Sequence, residues 1–274
     1  MKPTRRHTLL AVTTALAVTL AWSGPGWGQG ILDTKHNLST TVGTGANRTA
    51  GAQEIYLTAG TTEVCVFCHT PHGADTTVSA PLWNRAVANT AGYTMYSSPT
   101  MDSSPSAANM GVSLACLSCH DGTIAFDALR NLPGPGGYDP APVAGGRNPT
   151  GWVWNGGTKT MNGRGITQIA EGGTDLSNDH PIAMIYSAAR SPSSTSTDET
   201  TGFTAAALNG TRLWVTRAVP GAETISLPLY GASLADGRVQ CATCHDPHRK
   251  ATTFLRASNN DGSRLCRTCH LKDS

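Results

Sequence analysis

The sequence is poor in the residues that build a hydrophobic core. Leu, Ile, Val and Phe together make up about a sixth of the 274 residues, below the share of about 20% that is usual for a globular chain. Glycine and proline are abundant, with 30 and 16 residues. Such a chain buries little aliphatic surface, so we expect an irregular fold whose interior depends on something other than aliphatic side chains.

Long apolar runs and basic stripes are also missing. Beyond residue 28 no apolar stretch is long enough to span a membrane, and there is no reader motif for nucleic acid. Residues 1–28 have a basic start, an apolar stretch and small residues after it, which predicts a secretory signal peptide cut after residue 23 or 28. A membrane anchor is the alternative interpretation. Removal of the three basic residues of this segment changes the formal charge from +2 to −1.

No cysteine lies outside one repeated motif. The eight cysteines form four C-x-x-C-H sequences, at residues 65–69, 116–120, 241–245 and 266–270. A disulfide framework is one alternative for a secreted chain, but it leaves the adjacent histidines unexplained. A zinc ribbon over 241–269 is another, and four thiolates would leave its histidines unused.

The C-x-x-C-H motif is typical of covalent haem c, in which two thiols bind the porphyrin and the histidine binds the iron. The sequence therefore predicts four covalently attached haem c groups, which would also supply apolar mass and staple the loops. The predicted attachment residues are Cys65, Cys68, Cys116, Cys119, Cys241, Cys244, Cys266 and Cys269. The predicted proximal iron ligands are His69, His120, His245 and His270. We expect the protein without haem to be largely unfolded.

Four histidines remain after the proximal ligands and His7 of the signal segment are set aside. They are His36, His72, His180 and His248. Four spare imidazoles for four irons predict that every haem has two histidine ligands, with these four residues as the distal ligands.

The spare histidines also have other interpretations. His36 and His180 lie in polar loops and are candidates for ordinary surface residues, while His72 and His248 are candidates for hydrogen-bond donors near a haem. Methionine is the rival axial ligand. None of the five available methionines occupies a repeated position; they are Met95, Met101, Met110, Met161 and Met184.

His72 and His248 each lie three residues beyond the proximal histidine of their own motif. Side chains at this spacing in a helical turn share one face, about 5–6 Å apart at Cβ. They cannot approach one porphyrin from opposite sides. Each is therefore predicted to bind the iron of a haem other than its own.

The chain contains an internal repeat. The order of one spare histidine, C-x-x-C-H-x-P-H and C-x-x-C-H occurs twice. We predict an N-terminal dihaem half at 29–130, a haem-free insertion rich in Gly, Pro, Ser and Thr at 131–230 that carries His180, and a C-terminal dihaem segment at 231–274.

The predicted fold class is a multihaem cytochrome c, mostly irregular coil, organised around a chain of four haems. Short helices are expected at the C-x-x-C-H sites. Within the insertion, residues 131–149 are predicted to form an irregular loop, while GWVWNG, RLWVTRAV and ISLPLY predict a minor β element.

The stretches ILDTKHNLS, VCVFCHTPH, CLSCHDGTIAFD, NDHPI and CATCHDPH resemble, in that order, the doubled C-x-x-C-H multihaem cytochromes of metal-reducing bacteria. More narrowly, they resemble the tetrahaem outer-surface cytochromes that polymerise into extracellular filaments, or cytochrome nanowires. The resemblance implies stacked haems with two histidine ligands each, and a histidine of one subunit that ligates a haem of the next. It implies copies of the chain as partners, besides other redox proteins or extracellular electron acceptors.

Three functions are compatible with these features. The first is a subunit of an extracellular electron-conducting filament, secreted to the outer cell surface. The alternative is a monomeric periplasmic electron shuttle. A multihaem reductase is less favoured, because an enzyme needs an open iron position and the histidine count fills every iron. No enzymatic activity is therefore expected. For the filament we predict that His36, in a polar segment 29 residues before Cys65, acts on a neighbouring subunit.

Overall fold

The structure is a computed structural model. It describes residues 30–39, 61, 63–87, 92–101, 103–126, 128–133, 154–155, 160–161, 168–187, 202–219, 224–259 and 262–271. The predicted signal peptide and most of the predicted loop at 131–149 lie outside these residues.

Helices in the described part of the chain are short and lie mainly at the C-x-x-C-H motifs. The three α-helices, each of which carries one motif, are α1 (Ser113–His120), α2 (Cys241–Cys244) and α3 (Arg264–Cys269). The first motif forms turns, in which the His69 N–H donates to the Cys65 carbonyl at 2.8 Å. A helical turn brings the thiols of residues i and i+3 to one side, where both reach the same porphyrin edge. This confirms the predicted short helices at the second, third and fourth motifs, whereas the first motif forms turns instead. Within the described ranges, 3-10 helices span Ile31–Asp33, Ala107–Asn109 and Thr252–Phe254.

The strands form four small sheets among the described residues. The two-residue strands are β1 (Thr94–Met95), β2 (Trp154–Asn155), β3 (Thr160–Met161), β4 (Asp175–Leu176), β5 (Met184–Ile185) and β9 (Arg238–Val239). Of these, β1 pairs with β4 in parallel, whereas β2 pairs with β3 and β5 with β9 in antiparallel fashion. The largest sheet is antiparallel and has the order β6 (Ala206–Asn209), β7 (Arg212–Ala218), β8 (Thr224–Leu229). Strands β7 and β8 coincide with RLWVTRAV and ISLPLY, and β2 with the centre of GWVWNG, which confirms the minor β element.

The sheet of the insertion forms a packing surface for the C-terminal motifs. Alternation along β7 buries Leu213 and Val215, as a half-buried strand requires. On β8, Ile225 and Leu227 pack with Leu265 of α3, in a cluster that Cys244 and Cys269 border. The predicted boundary at residue 230 divides the insertion from the C-terminal segment in sequence. In the structure, the sheet of the insertion and the C-terminal motifs pack together.

The apolar interior is divided into four small clusters among the described residues. Each cluster borders at least one attachment cysteine: Cys68 and Cys269 border two clusters each, and Cys119 and Cys244 border one each. Small separate clusters bury less aliphatic surface than one continuous core. The position of the cysteines at their margins means that a porphyrin held there would extend these clusters.

Buried hydrogen bonds join the two halves where α1 and α2 begin. The Ser113 hydroxyl donates to Gln240 Oε1 at 2.5 Å and accepts from the Cys241 N–H at 3.0 Å. The Gln240 side-chain amide donates to the Asn109 carbonyl at 2.8 Å. Ser113 and Gln240 are both buried, so these bonds fix the second motif against the third.

Replacing Gln240 with alanine is expected to lower the free energy of unfolding by about 1–3 kcal/mol, because it leaves buried partners without a hydrogen bond. Denaturant unfolding of the haem-loaded protein measures the change. Ser226→Ala is the matched control, since its bond with Thr216 at 2.9 Å is exposed; a change within about 0.5 kcal/mol is expected there. Equal losses in both variants would contradict the role of the buried bonds.

Candidate haem sites

The internal repeat is visible in the way the chain returns past its first and third motifs. The Asn84 N–H donates to the Cys68 carbonyl at 2.9 Å, and the Arg256 N–H donates to the Cys244 carbonyl at 2.8 Å. The Asn84 side chain reaches the Val66 carbonyl, and the Arg256 side chain reaches that of Ala242. These matched bonds make residues 84 and 256 equivalent, although the two loops differ in length.

The returning loops orient the proximal histidines. His69 Nδ1 lies 2.7 Å from the Pro81 carbonyl oxygen, and His245 Nδ1 lies 2.7 Å from that of Thr253. A carbonyl oxygen only accepts, so Nδ1 carries the proton and Nε2 keeps its lone pair for a metal. His180 Nδ1 likewise lies 3.0 Å from the carbonyl oxygen of Pro181.

Each of these two carbonyls precedes a residue with unusual backbone geometry. Leu82 has φ 52° and Phe254 has φ 59°, in the left-handed region that residues with side chains rarely adopt. They occupy equivalent positions in the repeat. Strained backbone at matched positions indicates that the hydrogen bond between the carbonyl and the histidine compensates for the strain.

Two spare histidines lie opposite proximal histidines. The His69 and His248 ring centroids are 6.1 Å apart with an interplanar angle of 14°. Those of His36 and His120 are 6.2 Å apart at 71°. Metal-to-nitrogen bonds of about 2 Å on each side of an iron would separate two imidazole centroids by about 6 Å. The spacing of both pairs therefore fits a haem iron between them, and His248 faces the first motif rather than its own.

His36 is held inside its own chain. Its ring stacks on Phe254 with centroids 4.2 Å apart and planes 8° apart, and it bonds to the Pro247 backbone. Burial lowers the pKa of His36 to about 3, and the charge of a protonated His120 adds to this effect. The imidazole is thus neutral at ordinary pH, as a metal ligand must be.

This position does not support the predicted role of His36 in a neighbouring subunit. The polar segment around it is anchored, because Asn37 and Ser39 are buried and the Ser39 hydroxyl donates to Asn37 Oδ1 at 2.7 Å. At Gly30 an added Cβ would collide with the His248 carbonyl oxygen. The segment therefore packs closely against the loop that follows the third motif.

His72 and His180 are exposed, and neither ring stacks on another ring among the described residues. The His72 carbonyl accepts from the Thr70 hydroxyl at 3.0 Å and from the Asn131 side-chain amide at 2.9 Å. These bonds fix the backbone of this exposed residue. The proximal His245 is exposed too. The ring of the proximal His270 packs against that of Phe203, with centroids 4.6 Å apart. The structure thus pairs two spare histidines and leaves two at the surface.

The alternatives to haem receive no support from the geometry. All eight cysteines are described and free, so the disulfide framework does not form. Within the described ranges no three His, Cys, Asp or Glu side chains converge as a metal site, as a zinc ribbon requires. The methionines fill apolar clusters: Met110, Met161 and Met184 are buried, and Met95 and Met101 pack beside them.

Thiols of consecutive motifs are neighbours. The thiol of Cys68 interacts with Cys119, and that of Cys244 with Cys266. Between α1 and α2, the Cys116 thiol is hydrogen-bonded to the sulfur of Cys241. Each motif is therefore adjacent in space to the next motif along the chain.

Burial keeps most of these thiols protonated. It raises the pKa of Cys68 to about 12, of Cys244 to about 11 and of Cys269 to about 12. An apolar surrounding of this kind suits a thioether, which carries no charge, better than a thiolate.

Arg85 is a buried residue that lies outside every sequence motif. Its guanidinium donates to the carbonyls of Phe126 at 2.5 Å, Ala125 at 2.7 Å and Ser118 at 3.2 Å. No motif marks it; the only signal is a lone arginine in the loop that returns past the first motif.

One family model matches the chain, that of the doubled CXXCH motif, over residues 233–274. This segment contains the third and fourth motifs. The match supports a multihaem c-type cytochrome, with covalently bound haem c and a role in electron transfer. The curated proteins contain no match to the chain. In the described part of the chain, no helix has the length and apolar character needed to cross a membrane.

Proposed function

We propose that the chain is a tetrahaem cytochrome in which two histidines hold every iron. The observation that carries this proposal is the pair of histidine contacts, His69 with His248 and His36 with His120, each at about the spacing of two axial ligands. Haem c supplies a one-electron Fe(III)/Fe(II) couple. An iron held by an imidazole on each side would have no position for a substrate, which supports a carrier rather than a reductase.

The repeat assigns the two remaining spare histidines. His36 precedes the first motif and faces His120 of the second. The equivalent residue, His180, precedes the third motif and is therefore assigned to His270 of the fourth. Both would serve haems of their own chain.

The same reasoning places His72 on a neighbouring copy. His248 belongs to the second repeat and faces His69 of the first. The equivalent His72 belongs to the first repeat, so its partner must be His245 in the second repeat of a preceding copy. Both residues are exposed, as ligands that meet across an interface must be in the isolated chain.

Leu82 supports the same interface. Its equivalent Phe254 covers His36 within the chain, whereas Leu82 is 54% exposed. In the assembly, Leu82 would cover His180 of the preceding copy. A contact that repeats from head to tail without closing produces a fibre. The proposed function is therefore that of a subunit of a secreted, extracellular electron-conducting filament.

The haem content is the first test of this proposal. Mass spectrometry of the secreted protein is expected to show four haem additions per chain, and spectra of the oxidised protein are expected to show low-spin iron only. Electron microscopy of native secreted material is expected to show filaments. Fewer than four haems would contradict the tetrahaem assignment, and a uniformly monomeric periplasmic protein would favour the shuttle.

A further inference from the structure

Arg85 lies between the first and second motifs. Its side chain is buried, with 1% of its surface exposed. One of its three carbonyl partners belongs to Ser118, inside the second motif. The preceding residue, Asn84, donates to the carbonyl of Cys68 in the first motif. The guanidinium is therefore enclosed by the two N-terminal attachment sites.

No carboxylate of the described residues pairs with this guanidinium. Its bonds go to main-chain carbonyls, which satisfy its N–H groups but carry no net charge, and its buried Nε has no partner. Among the described residues no ion pair involves it. An arginine stays protonated at any ordinary pH, so the N-terminal half contains a permanent buried positive charge.

The buried carboxylate of Asp121, which follows the second motif, does not pair with this guanidinium either. The Asp121 carboxylate accepts bonds from the Tyr93 hydroxyl and from Thr123, each at 2.8 Å, rather than from the guanidinium. The guanidinium thus keeps its charge beside the two motifs without a carboxylate partner among the described residues.

The second half of the repeat lacks a buried cation at the position equivalent to Arg85. Because residues 84 and 256 are equivalent, the counterpart of Arg85 is Ala257, which is also buried. The repeat preserves the histidine and loop geometry of the first and third motifs but changes this position from a cation to an apolar side chain. The arginines that contact the C-terminal motifs are less buried. Arg256 donates to the Ala242 carbonyl and is paired with Asp246, and the half-buried Arg217 donates to the carbonyls of Arg267 and His270. The halves therefore differ in how deeply an arginine is buried beside the motifs.

We propose that Arg85 sets the redox balance between the halves by favouring the reduced state of the two haems attached at residues 65–69 and 116–120. The inference rests on the proposed tetrahaem function. Reduction adds one electron to an iron site and lowers its positive charge, which a fixed cation nearby favours. At an effective dielectric constant of 20, a unit charge about 10 Å away changes such an equilibrium by roughly tenfold. One electron moves from the C-terminal to the N-terminal half, and no proton is needed.

The test is a stepwise reductive titration of haem-loaded wild type, Arg85→Gln and Arg85→Lys, followed by NMR of the haem methyl groups to identify each haem. Arg85→Gln is expected to lower two of the four potentials by about 59 mV, which is tenfold for a one-electron couple, and to move the other two much less. Arg85→Lys is expected to keep the wild-type values. Arg130→Gln is the matched control, because Arg130 lies in the same half but is 45% exposed and paired with Asp75.

Unchanged potentials in Arg85→Gln, or an equal shift of all four, would overturn the proposal. If Arg85→Gln fails to load four haems, the reduction order of wild type decides: the N-terminal pair must accept electrons first, and reduction of the C-terminal pair first refutes the role of Arg85. Failure of the proposed function looks different, since wild type itself would then show fewer than four reversible one-electron steps.

Discussion

Replacing His248 with alanine is expected to convert one of the four irons from low spin to high spin, at the haem attached by Cys65 and Cys68. The ring of His248 lies 6.1 Å from that of His69 and nearly parallel to it, so its removal opens one side of that iron. An open ferrous position binds carbon monoxide, which a bis-histidine iron excludes. The measurement is electron paramagnetic resonance of the oxidised protein together with carbon monoxide titration of the reduced protein. We expect one carbon monoxide per chain in the variant and none in wild type.

His36→Ala is the matched control for this experiment. It removes the other paired imidazole, opposite His120, and so is expected to open the haem attached by Cys116 and Cys119 instead. The two variants should give one high-spin iron each, at different sites. A change at the haem of residues 241–245 in the His248 variant would show that His248 serves its own motif, and no spin change in either variant would show that the paired rings are not iron ligands.

The local chemistry of this protein could be predicted from its sequence. The C-x-x-C-H spacing indicates haem c and short helices because both depend on residues three or four positions apart. The alternation in RLWVTRAV and ISLPLY indicates β7 and β8 for a similar reason. In each case the signal and the structure span the same few residues.

The pairing of histidines could not be predicted in this way. His36 meets His120, and His248 meets His69, across loops that have no helical or strand periodicity. The polarity around His36 suggested a free segment, but Asn37 and Ser39 satisfy each other's hydrogen bonds and become buried. In a chain with so little regular structure, a polar residue is a weak guide to exposure.

The internal repeat links the pairing to the assembly. A repeat unit that borrows one ligand from the next unit needs such a unit to be complete. Within this chain His248 supplies that ligand to the first unit, and the second unit is left with an exposed His245. Another copy, bound by its own His72, would complete it.

Replacing His72 with alanine is therefore expected to abolish filaments while leaving secretion and haem attachment intact. The variant removes an exposed side chain, so the fold of the subunit should persist. We expect monomers with four haems and with one high-spin iron per chain, at the haem of Cys241 and Cys244. The amount of filament should fall at least about tenfold, since a loss of only ~1.4 kcal/mol in the free energy of each contact lowers its association constant tenfold. Electron microscopy, light scattering and electron paramagnetic resonance measure these properties.

Two exposed leucines provide the matched control for this interface. Leu82→Ala should weaken assembly, because Leu82 is assigned to cover His180 of the preceding copy, whereas Leu234→Ala should not, although Leu234 is similarly exposed at 49%. If His72→Ala still forms filaments in which every iron is low-spin, ligation between copies does not involve His72. If Leu234→Ala disrupts assembly and Leu82→Ala does not, the interface lies on another face, and the repeat does not extend from one copy to the next.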